Sequence, residues 1–522
     1  MTDRTTPRTV LLRHGRIHSP AVPGATALAV AGDRVTWIGR EPAAEDVAAT
    51  ADRIVDLAGA LVTPAFTDAH VHITSTGLTL TGLDLAGAGS LAEALARVAG
   101  YATAPGHAAD AVLLGQGWDA ARWPERRPPS RAELDRAAGG RPVYLSRVDA
   151  HSALASTALL DRVRGVTRLA GYHADHPLTG AAHHAVRRAA HGTLAPAQRA
   201  AAQRAALRHA AALGIGSLHE CAGPEISSEE DLVGLLALAA SEPGPRVVGY
   251  WAELVTNAKD AERVRELGAA GAAGDLFADG SLGSHTAHLH APYADAATRG
   301  TGYLTAEDTA AHLTACTEAG LQAGFHAIGD AAIDAVAAGA RAAAARLGAP
   351  RLRALRHRVE HAELIGPDAV ATFADLGLTA SVQPGFDAAW GGPDGMYAER
   401  LGPDRAAALN PYASLLRAGV PLALGSDAPV TPLDPWGTVR AAAEHRTPDH
   451  RIPWEAAFAA HTRGGWRAIG RDDGGVLEPG APADYAVWET VEGAQGAEPP
   501  RCLRTVVAGR TVYDHAADPL NE

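Results

Sequence analysis

Short hydrophobic stretches alternate with long alanine-rich stretches through the middle of this 522-residue chain. The hydrophobic stretches have the length of buried strands and the alanine-rich ones the length of helices, as in repeated strand–helix units around a parallel sheet. Eight stretches are predicted as the central strands: Val62 to His72, Ile215 to Glu220, Val247 to Trp251, Asp275 to Asp279, Gln322 to His326, Arg358 to His361, Thr379 to Gln383 and Pro421 to Asp427. Eight such units predict an α/β fold, a (β/α)8 TIM-like barrel.

The two ends of the chain have a different pattern. Residues 1–60 and 473–522 contain short β-like pieces separated by Gly, Pro and Asp turn signals. We expect these ends to pair into one composite β-sandwich built from both termini. The catalytic barrel is then predicted to occupy residues 61–83 and 197–472.

The gap between the first two predicted strands is too long for a single helical crossover. Residues 84–196 are therefore predicted to form an insertion subdomain after strand 1. Pro142 to Val148 is the clearest apolar strand within it. Pro196 to Leu213 is predicted as the helix that follows, because it has Pro near its start and Gly214 after its end.

The composition is that of a folded globular protein, with 47% hydrophobic and 20% charged residues. The 46 basic and 59 acidic residues give a net charge of −13, so no basic field is available to bind nucleic acid. We find neither a signal peptide nor an apolar run that could span a membrane, and we expect a cytoplasmic location. A small-molecule substrate is the expected partner; the oligomeric state is open, with a homodimer as one option.

The cysteine count bears on how a metal could be bound. The three cysteines, Cys221, Cys316 and Cys502, show no CxxC spacing. A disulfide framework and a thiolate zinc site are therefore not expected. A metal would have to be bound by histidines, of which there are 24, and by carboxylates.

The strongest local signal is the stretch PAFTDAHVH at residues 64–72. Side chains two apart on a strand point to the same face, so His70 and His72 would both point into the barrel mouth. That geometry suits two imidazoles on one divalent metal, typically zinc. Alone, an HxH pattern is a weak signal in a histidine-rich chain.

Three further candidates, His326, His361 and Asp427, fall at the ends of later predicted strands. That is the face on which barrel enzymes carry their catalytic residues. A single histidine there is more often a hydrogen-bonded core residue, but this explanation fits poorly when strands one, five, six and eight all carry a candidate. Imidazole ligands and a nearby carboxylate indicate metal-assisted hydrolysis, in which the metal activates water and the carboxylate passes a proton to the leaving amine.

These residues resemble the amidohydrolase superfamily, and specifically its amidohydrolase family 3 branch, which includes N-substituted formamide deformylases. The similarity covers essentially the whole chain and includes FADGSLGSHTA, HAIGD, RVEHA, GSDAPV and GVLEPGAPADYAVW. The resemblance implies a metal-bearing barrel with a β-sandwich from both termini and an insertion after the first strand. It also implies a metal-dependent hydrolase that uses metal-activated water on a non-peptide C–N bond, most simply that of a linear N-substituted formamide.

The resemblance also assigns roles to residues of this chain. It makes His70 and His72 ligands of a first metal. It makes His326 and His361 ligands of a second metal or contacts to substrate. Asp427 becomes both a ligand and the general base, and His361 joins it as a catalytic residue.

One position departs from the resemblance. Relatives commonly have a lysine on strand four, and members with two metals often use a carboxylated lysine as the bridge. Here the position is Asp275, and the single lysine of the chain, Lys259, lies in a charged helix-like stretch. Asp275 could supply the carboxylate itself, the enzyme could work with one zinc, or Asp275 could be an ordinary turn or salt-bridge residue.

Candidates for substrate contacts carry weaker signals. They are Trp118 and His151 in the insertion, His219 on strand two, and Trp390 in a long Gly-rich segment suited to a lid. Each is at least as easily explained by packing. Asp279, before Gly280, could cap a turn, but we expect it to lie behind the metal ligands. Five clustered histidines are predicted to lie at the surface: His173, His176, His183, His184 and His191.

Two alternative functions stay open. The same site could act on a cyclic amide or on the amidine-like carbon of a deaminase substrate. A non-catalytic barrel scaffold is the alternative of another class; it predicts lost ligands, whereas every imidazole candidate and Asp427 are present.

Overall fold

The computed structural model describes residues 8–105, 108, 110–489 and 499–517. The predicted sandwich segments extend beyond these, and their residues 1–7, 490–498 and 518–522 lie outside the described residues. Within the described residues, no helix is both long enough and apolar enough to cross a lipid bilayer.

The strands and helices follow one another along the whole described chain. The strands are β1 (Thr9–Arg13), β2 (Arg16–Ile17), β3 (Ala27–Ala31), β4 (Arg34–Gly39), β5 (Arg53–Asp56), β6 (Leu61–Pro64), β7 (Phe66–Val71), β8 (Leu83–Asp84), β9 (Leu113–Trp118), β10 (Val143–Arg147), β11 (Ser152–Ala155), β12 (Leu178–Thr179), β13 (Ile215–Ala222), β14 (Arg246–Trp251), β15 (Gly271–Ala272), β16 (Gln322–Ala327), β17 (Arg358–His361), β18 (Thr379–Val382), β19 (Leu422–Leu424), β20 (Tyr485–Trp488), β21 (Cys502–Val507) and β22 (Arg510–Asp514). The α-helices are α1 (Glu41–Ala48), α2 (Ile73–Thr81), α3 (Leu91–Thr103), α4 (Arg131–Ala137), α5 (Thr157–Leu160), α6 (Gly180–His191), α7 (Pro196–Ala212), α8 (Glu229–Ser241), α9 (Ala258–Glu266), α10 (Ala306–Ala319), α11 (Asp330–Leu347), α12 (Ala349–Leu355), α13 (Pro367–Leu376), α14 (Pro384–Trp390), α15 (Met396–Leu401), α16 (Pro403–Ala406), α17 (Tyr412–Arg417), α18 (Pro435–Ala443), α19 (Trp454–Ala460) and α20 (Arg463–Ala468).

A parallel sheet of eight strands forms the centre of the protein, in the order β7, β13, β14, β15, β16, β17, β18, β19. Its two edge strands meet through the backbone after β19, where the Asp427 amide donates to the His70 carbonyl (2.8 Å) and the His72 amide donates to the Ala428 carbonyl (2.9 Å). These bonds close the sheet and confirm the predicted (β/α)8 barrel. Every residue of β7, β13, β16, β17 and β18 is buried, as expected of parallel strands covered on both faces.

The predicted first barrel strand, Val62 to His72, is wrong as a single element. It is two strands, because β6 pairs antiparallel with β20 in another sheet while β7 pairs parallel with β13 in the barrel. The chain crosses from one sheet to the other at Ala65, which is buried. Both halves are apolar because both lie in cores, so the hydrophobic pattern shows no break.

The predicted fourth barrel strand is confirmed only in part. The regular strand is β15, at Gly271–Ala272, and within the predicted stretch Asp275 to Asp279 the residue Phe277 forms an isolated parallel bridge to His326. Gly274 has a φ of +83°, a conformation that favours glycine, and a Cβ atom there would lie 2.9 Å from the Cβ atom of Cys221. The chain therefore leaves the strand at Gly274 and places Asp275 in the loop directly after it.

The sandwich has one sheet in the order β4, β3, β1, β5 and a second in the order β2, β6, β20, β21, β22. The second sheet joins strands from both ends of the chain, which confirms the predicted composite sandwich. The core of this unit is formed by side chains of both segments, among them Leu12, Leu28, Val30, Val62, Leu477, Tyr485 and Val487.

The segment between α2 and α7 has its own sheet, in the order β12, β11, β10, β9, β8. Its core contains Trp118, Trp123 and Leu145. The segment contacts the barrel at its mouth, where the Asp149 carboxylate accepts hydrogen bonds from the hydroxyls of Ser281 (2.8 Å) and Ser284 (2.6 Å). Helix α7, predicted from its Pro and Gly boundaries, leads back into the barrel.

Candidate metal centre

The structure brings together the six side chains that the sequence suggests as metal ligands. They lie at the C-terminal ends of barrel strands or in the loops that follow, and each is more than nine-tenths buried: His70, His72, Asp275, His326, His361 and Asp427. Triads of these residues offer ligand atoms close enough together to share one metal ion.

The first group of ligand atoms lies where β7 meets β19. The Nε2 atom of His72 is 3.1 Å from Asp275 Oδ2 and 3.1 Å from Asp427 Oδ1. The Nε2 atom of His70 is 3.5 Å from Asp275 Oδ1 and 3.5 Å from Asp427 Oδ1. Two imidazoles thus face two carboxylates.

The second group lies beside β16 and β17 and shares Asp275 with the first. The Oδ1 atom of Asp275 is 3.4 Å from His326 Nδ1 and 3.7 Å from His361 Nε2. Asp275 is therefore the side chain common to both groups, with one oxygen among three imidazole rings and the other beside His72.

Five of the converging ligand atoms have no hydrogen-bond partner. Buried polar atoms in proteins are nearly always paired, so a cluster of unpaired atoms marks a place built for another group. The atoms are His70 Nε2, Asp275 Oδ1, His326 Nδ1, His361 Nε2 and Asp427 Oδ1. Imidazole nitrogens and carboxylate oxygens are the donor set that divalent zinc takes in proteins, so these residues fit a metal.

The cluster contains two buried carboxylates, Asp275 and Asp427, whose negative charge must be compensated. Burial alone would raise the pKa of Asp275, but the surrounding His70, His326 and His361 hold it well below its usual range. Burial would likewise lower the pKa of His72, whose contacts with Asp275 and Asp427 raise it instead to about 9. Two buried carboxylates so close together need compensating cations.

Two candidate residues adopt backbone conformations that are unusual for residues other than glycine. His361 has a φ of 68° and Asp427 a φ of 55°. Strain of this kind persists where the surroundings fix the conformation, and it concentrates at functional sites. The turn at His361 carries its ring towards the barrel axis at the end of β17.

Sequence reasoning missed the side chains that orient the imidazoles. The Nδ1 atom of His70 donates to Glu360 Oε2 (2.9 Å), and the Nδ1 atom of His361 donates to Gln383 Oε1 (2.7 Å). Both bonds leave Nε2 facing the cluster. The signal available in the sequence was the RVEH stretch itself, which places a glutamate on a fully buried strand.

Glu360 is itself fixed by a buried arginine. Arg358 is fully buried, forms an ion pair with Glu360 and donates to the hydroxyl of Ser381 (2.8 Å). Burial alone would raise the pKa of Glu360, but the Arg358 charge and the bond from His70 lower it to about 2. The candidate ligand His70 is thus hydrogen-bonded to a buried Arg358–Glu360 ion pair inside the barrel.

The cluster forms the floor of a cavity between the barrel mouth and the insertion. The empty space between its lining atoms is about 780 Å³, open solvent at the mouth included. Of the four predicted substrate contacts, only His151 lines this cavity. Its ring centroid lies 5.0 Å from that of His326 and 5.3 Å from that of Phe277.

The other three predicted substrate contacts lie elsewhere. His219 is fully buried on β13 and accepts a hydrogen bond from Arg358 at Nδ1 (3.3 Å). Trp118 packs in the insertion core and donates its indole N–H to the Leu145 carbonyl (3.0 Å). Trp390 packs against the ring of Phe386, in a segment that forms the helices α14 and α15 and not a lid loop. For these three, the packing explanation agrees with the structure.

The insertion histidines are only partly at the surface. His173 and His176 are exposed as predicted, but the prediction is wrong for three others. His183 is buried with its Nε2 atom 2.8 Å from the Tyr144 hydroxyl, and His191 lines the cavity. His184 is partly buried against Glu225. These three lie on α6, whose inner face packs on the insertion sheet.

Asp279 lies behind the candidate ligands, with its Oδ1 atom 3.8 Å from His326 Nε2. Its carboxylate accepts hydrogen bonds from the backbone N–H groups of His288 (2.8 Å), Ile328 (3.0 Å) and Gly329 (2.8 Å). These bonds tie the loop after β15 to the loop after β16, on either side of the cluster.

A barrel with buried imidazoles and carboxylates at its C-terminal mouth defines the class of metal-dependent barrel hydrolases. A model of the amidohydrolase family matches residues 53–513, and the chain belongs to that family. It is a metal-dependent hydrolase that acts on carbon–nitrogen bonds.

Similar proteins span nearly the same length. Protein LONG AFTER FAR-RED 3 of Arabidopsis thaliana is 27% identical over 97% of this chain and 91% of its own length. N-substituted formamide deformylase of Arthrobacter pascens is 25% identical over 94% of this chain and 95% of its own length. The crystal structure of an uncharacterized metal-dependent hydrolase from Pyrococcus horikoshii matches with a TM-score of 0.73 at 25% identity, covering 92% of this chain and 98% of that one.

Proposed function

We propose that the cluster binds two divalent cations, most simply zinc, with Asp275 as the ligand common to both. His70, His72 and Asp427 would complete one site, and His326 and His361 the other. Support comes from the two oxygens of Asp275, which face the two groups of imidazoles. Lys259, the only lysine of the chain, lies exposed on α9, so no carboxylated lysine can take this place.

The proposed reaction is hydrolysis of a linear amide of a small molecule, with an N-substituted formamide as the first candidate. The observation that carries the proposal is the convergence of unpaired, buried ligand atoms on the floor of a cavity. The choice of bond is supported by near full-length similarity to the Arthrobacter pascens protein named as an N-substituted formamide deformylase.

Cations of this kind, when bound, lower the pKa of water and polarise a carbonyl group. The chain itself supplies proton transfer and orientation. Asp427 lines the cavity beside His72, where its carboxylate can accept a proton from the attacking water and return it to the amine nitrogen. Its backbone N–H donates to the His70 carbonyl (2.8 Å), which holds the main chain of Asp427 beside β7.

A panel of three substrate types tests the proposal: N-substituted formamides, cyclic amides and amino-substituted heterocycles. We expect formate and a free amine from the first type, measured by chromatography. The Asp427→Asn variant should be about 10²- to 10⁴-fold slower, since it removes the proton-transfer group. The matched control is Asp449→Asn, at an exposed position. If the only reaction is ring opening of the cyclic amides, the protein is a cyclic amidohydrolase. If the only product is ammonia from the amino-substituted heterocycles, it is a deaminase. Either result would contradict the proposed reaction.

A further inference from the structure

Three arginines of the described residues are more than nine-tenths buried: Arg147, Arg187 and Arg358. Arg147 forms ion pairs with Asp119 and Asp149, and Arg358 forms one with Glu360. Arg187 forms no ion pair with any carboxylate of the described part of the chain. A buried charge is costly unless it is paired, so the exception calls for an explanation.

The contacts of Arg187 are all with neutral groups. Its Nε–H group donates to the Tyr144 hydroxyl (3.3 Å), one terminal nitrogen donates to the Glu225 carbonyl (3.1 Å), and the other donates to the Ala150 carbonyl. The nearby carboxylate of Glu225 is bound by Arg188 and His184 instead. These bonds fix the guanidinium group but leave its charge uncompensated.

Arg187 lines the same cavity as the metal cluster. It lies on α6, on the insertion side, together with Tyr144, His191 and Ala150, while His72, Asp275, His326, His361 and Asp427 line the barrel side. His151 links the two sides, because it follows Ala150 directly and its ring adjoins that of His326. Arg187 and the metal cluster therefore face the same space.

We propose that Arg187 binds an anionic group of the substrate, in the simplest case a carboxylate, while the bond to be cleaved lies at the metal cluster. The inference builds on the proposed amide hydrolysis and makes Arg187 the residue that selects acidic substrates. A planar guanidinium group held by its neighbours matches the geometry of a carboxylate.

The surroundings of Arg187 agree with a site for an anion. Burial first, and then the charge of Arg187, lower the pKa of His191 to about 4, and the same two causes lower the pKa of His183 well below its usual value. Both rings are therefore neutral near pH 7. The positive charge available to a bound carboxylate on this side of the cavity is then that of Arg187.

Binding to metal-depleted protein tests the inference independently of any hydrolysis. The probes are hexanoate and its neutral counterpart hexanamide, with affinities measured by calorimetry. We expect the wild type to bind hexanoate about 10- to 100-fold more tightly than hexanamide, the range of a charge-assisted hydrogen bond. Arg187→Gln should abolish this preference, and Arg187→Lys should retain part of it.

Arg188→Gln is the matched control, since Arg188 is the adjacent, exposed arginine of the same helix, and it should keep the wild-type preference. A wild type without preference for hexanoate, or an Arg187→Gln variant that keeps one, would overturn the inference. If Arg187→Gln does not fold, as judged by circular dichroism, the wild-type comparison decides, and equal affinities for hexanoate and hexanamide would overturn the inference.

A second measurement separates substrate binding from a purely structural clamp. N-formyl-ω-amino acids are compared with their methyl esters as substrates of the metal-loaded enzyme. We expect Arg187→Gln to raise KM about 10- to 100-fold for the acids and to leave KM for the esters nearly unchanged. An equal loss for acids and esters would make Arg187 only a structural residue. Absence of hydrolysis in the wild type would count against the proposed reaction and leave the binding result to decide the role of Arg187.

Discussion

At the residue scale, the cluster depends on which nitrogen of each histidine faces inwards. Glu360 accepts a hydrogen bond from the Nδ1–H group of His70, and Gln383 accepts one from the Nδ1–H group of His361. The Nε2 atoms of both rings are therefore available to a metal. Glu360 also balances the charge of Arg358. One carboxylate thus orients a ligand and neutralises a buried cation.

The Glu360→Gln variant tests this double role. The neutral amide oxygen is a weaker acceptor for the Nδ1–H group of His70 than the carboxylate is, and Arg358 is left without its charge partner. We expect metal affinity to fall about 10- to 100-fold and the free energy of unfolding to fall by about 3–5 kcal/mol. Competition with a chromogenic chelator and urea denaturation measure the two effects.

The exposed Glu478→Gln change is the control, and neither quantity should change in it. Unaltered metal affinity in Glu360→Gln would show that the negative charge of Glu360 is not needed to hold His70 as a metal ligand.

The site residues could be predicted from the sequence only where the two-residue period of a strand or the end of a strand marks them. The two-residue spacing of His70 and His72 gives their common face without further information. The RVEH stretch places Glu360 in a strand, but it does not show which buried side chains Glu360 contacts, so its role could not be predicted. The positive φ angles of His361 and Asp427 are likewise set by tertiary contacts and not by local pattern.

At the element scale, the closure between β7 and β19 positions the cluster. The segment after β19 is joined to β7 and the residue after it by the backbone bonds of Asp427 and Ala428, and Gly425 lies in that segment. A Cβ atom on Gly425 would lie 2.6 Å from the backbone nitrogen of His70 and 2.9 Å from Asp68 Oδ1. The two strands can approach this closely only because position 425 lacks a side chain.

The Gly425→Ala variant should therefore push His70 and Asp427 apart. We expect a loss of about 1–3 kcal/mol in the free energy of unfolding, the usual cost of overpacking, together with a loss of hydrolytic activity. Gly234→Ala is the matched control: Gly234 is exposed in α8 with no atom near the added Cβ, so stability should rise by about 0.5–1 kcal/mol. Full activity and stability in Gly425→Ala would contradict the steric argument.

Most barrel strands were predictable because each is a short apolar run followed by a helical stretch. The exceptions have physical causes. Strand β15 has only two residues, and the FADG motif that seemed to mark it lies in the loop that follows. The apolar stretch through β6 and β7 crosses from the sandwich sheet to the barrel sheet. Both strands are buried, so the hydrophobic pattern does not show where the crossing lies.

At the scale of the whole molecule, several histidines are buried in neutral form within the barrel. His357 accepts a hydrogen bond from the Ala323 N–H at Nδ1 (2.9 Å), and its Nε2 atom lies 2.9 Å from the Thr317 hydroxyl. Burial lowers its pKa to about 3. The unfolded chain would bind a proton on this ring near pH 6.5, and the folded protein does so only near pH 3.

Stability should therefore fall as the pH falls from about 6.5 towards 3, because the unfolded state binds more protons over that range. Each such histidine contributes up to about 1.4 kcal/mol per pH unit. The His357→Gln variant should show an acid slope that is smaller by up to that amount, measured by urea denaturation between pH 7 and pH 4.

The exposed His176→Gln variant should keep the wild-type slope. An identical slope in His357→Gln and wild type would mean that His357 is not held neutral in the folded state.

Residues of the insertion line the cavity, and the sequence could not show this. Its boundaries follow from the long gap between strands, but the side chains that reach the cavity, such as Arg187 and His191, are identified only by the packing of α6 over the barrel mouth.

The most direct test of the central claim is the number of metal ions per chain, measured by elemental mass spectrometry on protein purified without chelator. The wild type and Asp275→Ala are compared, with the exposed Asp404→Ala as control. Asp275 as the shared ligand predicts two metals in the wild type and in the control, and one or none in Asp275→Ala. One metal in all three proteins would place Asp275 outside the coordination sphere, and no metal in any of them would contradict the hydrolase account.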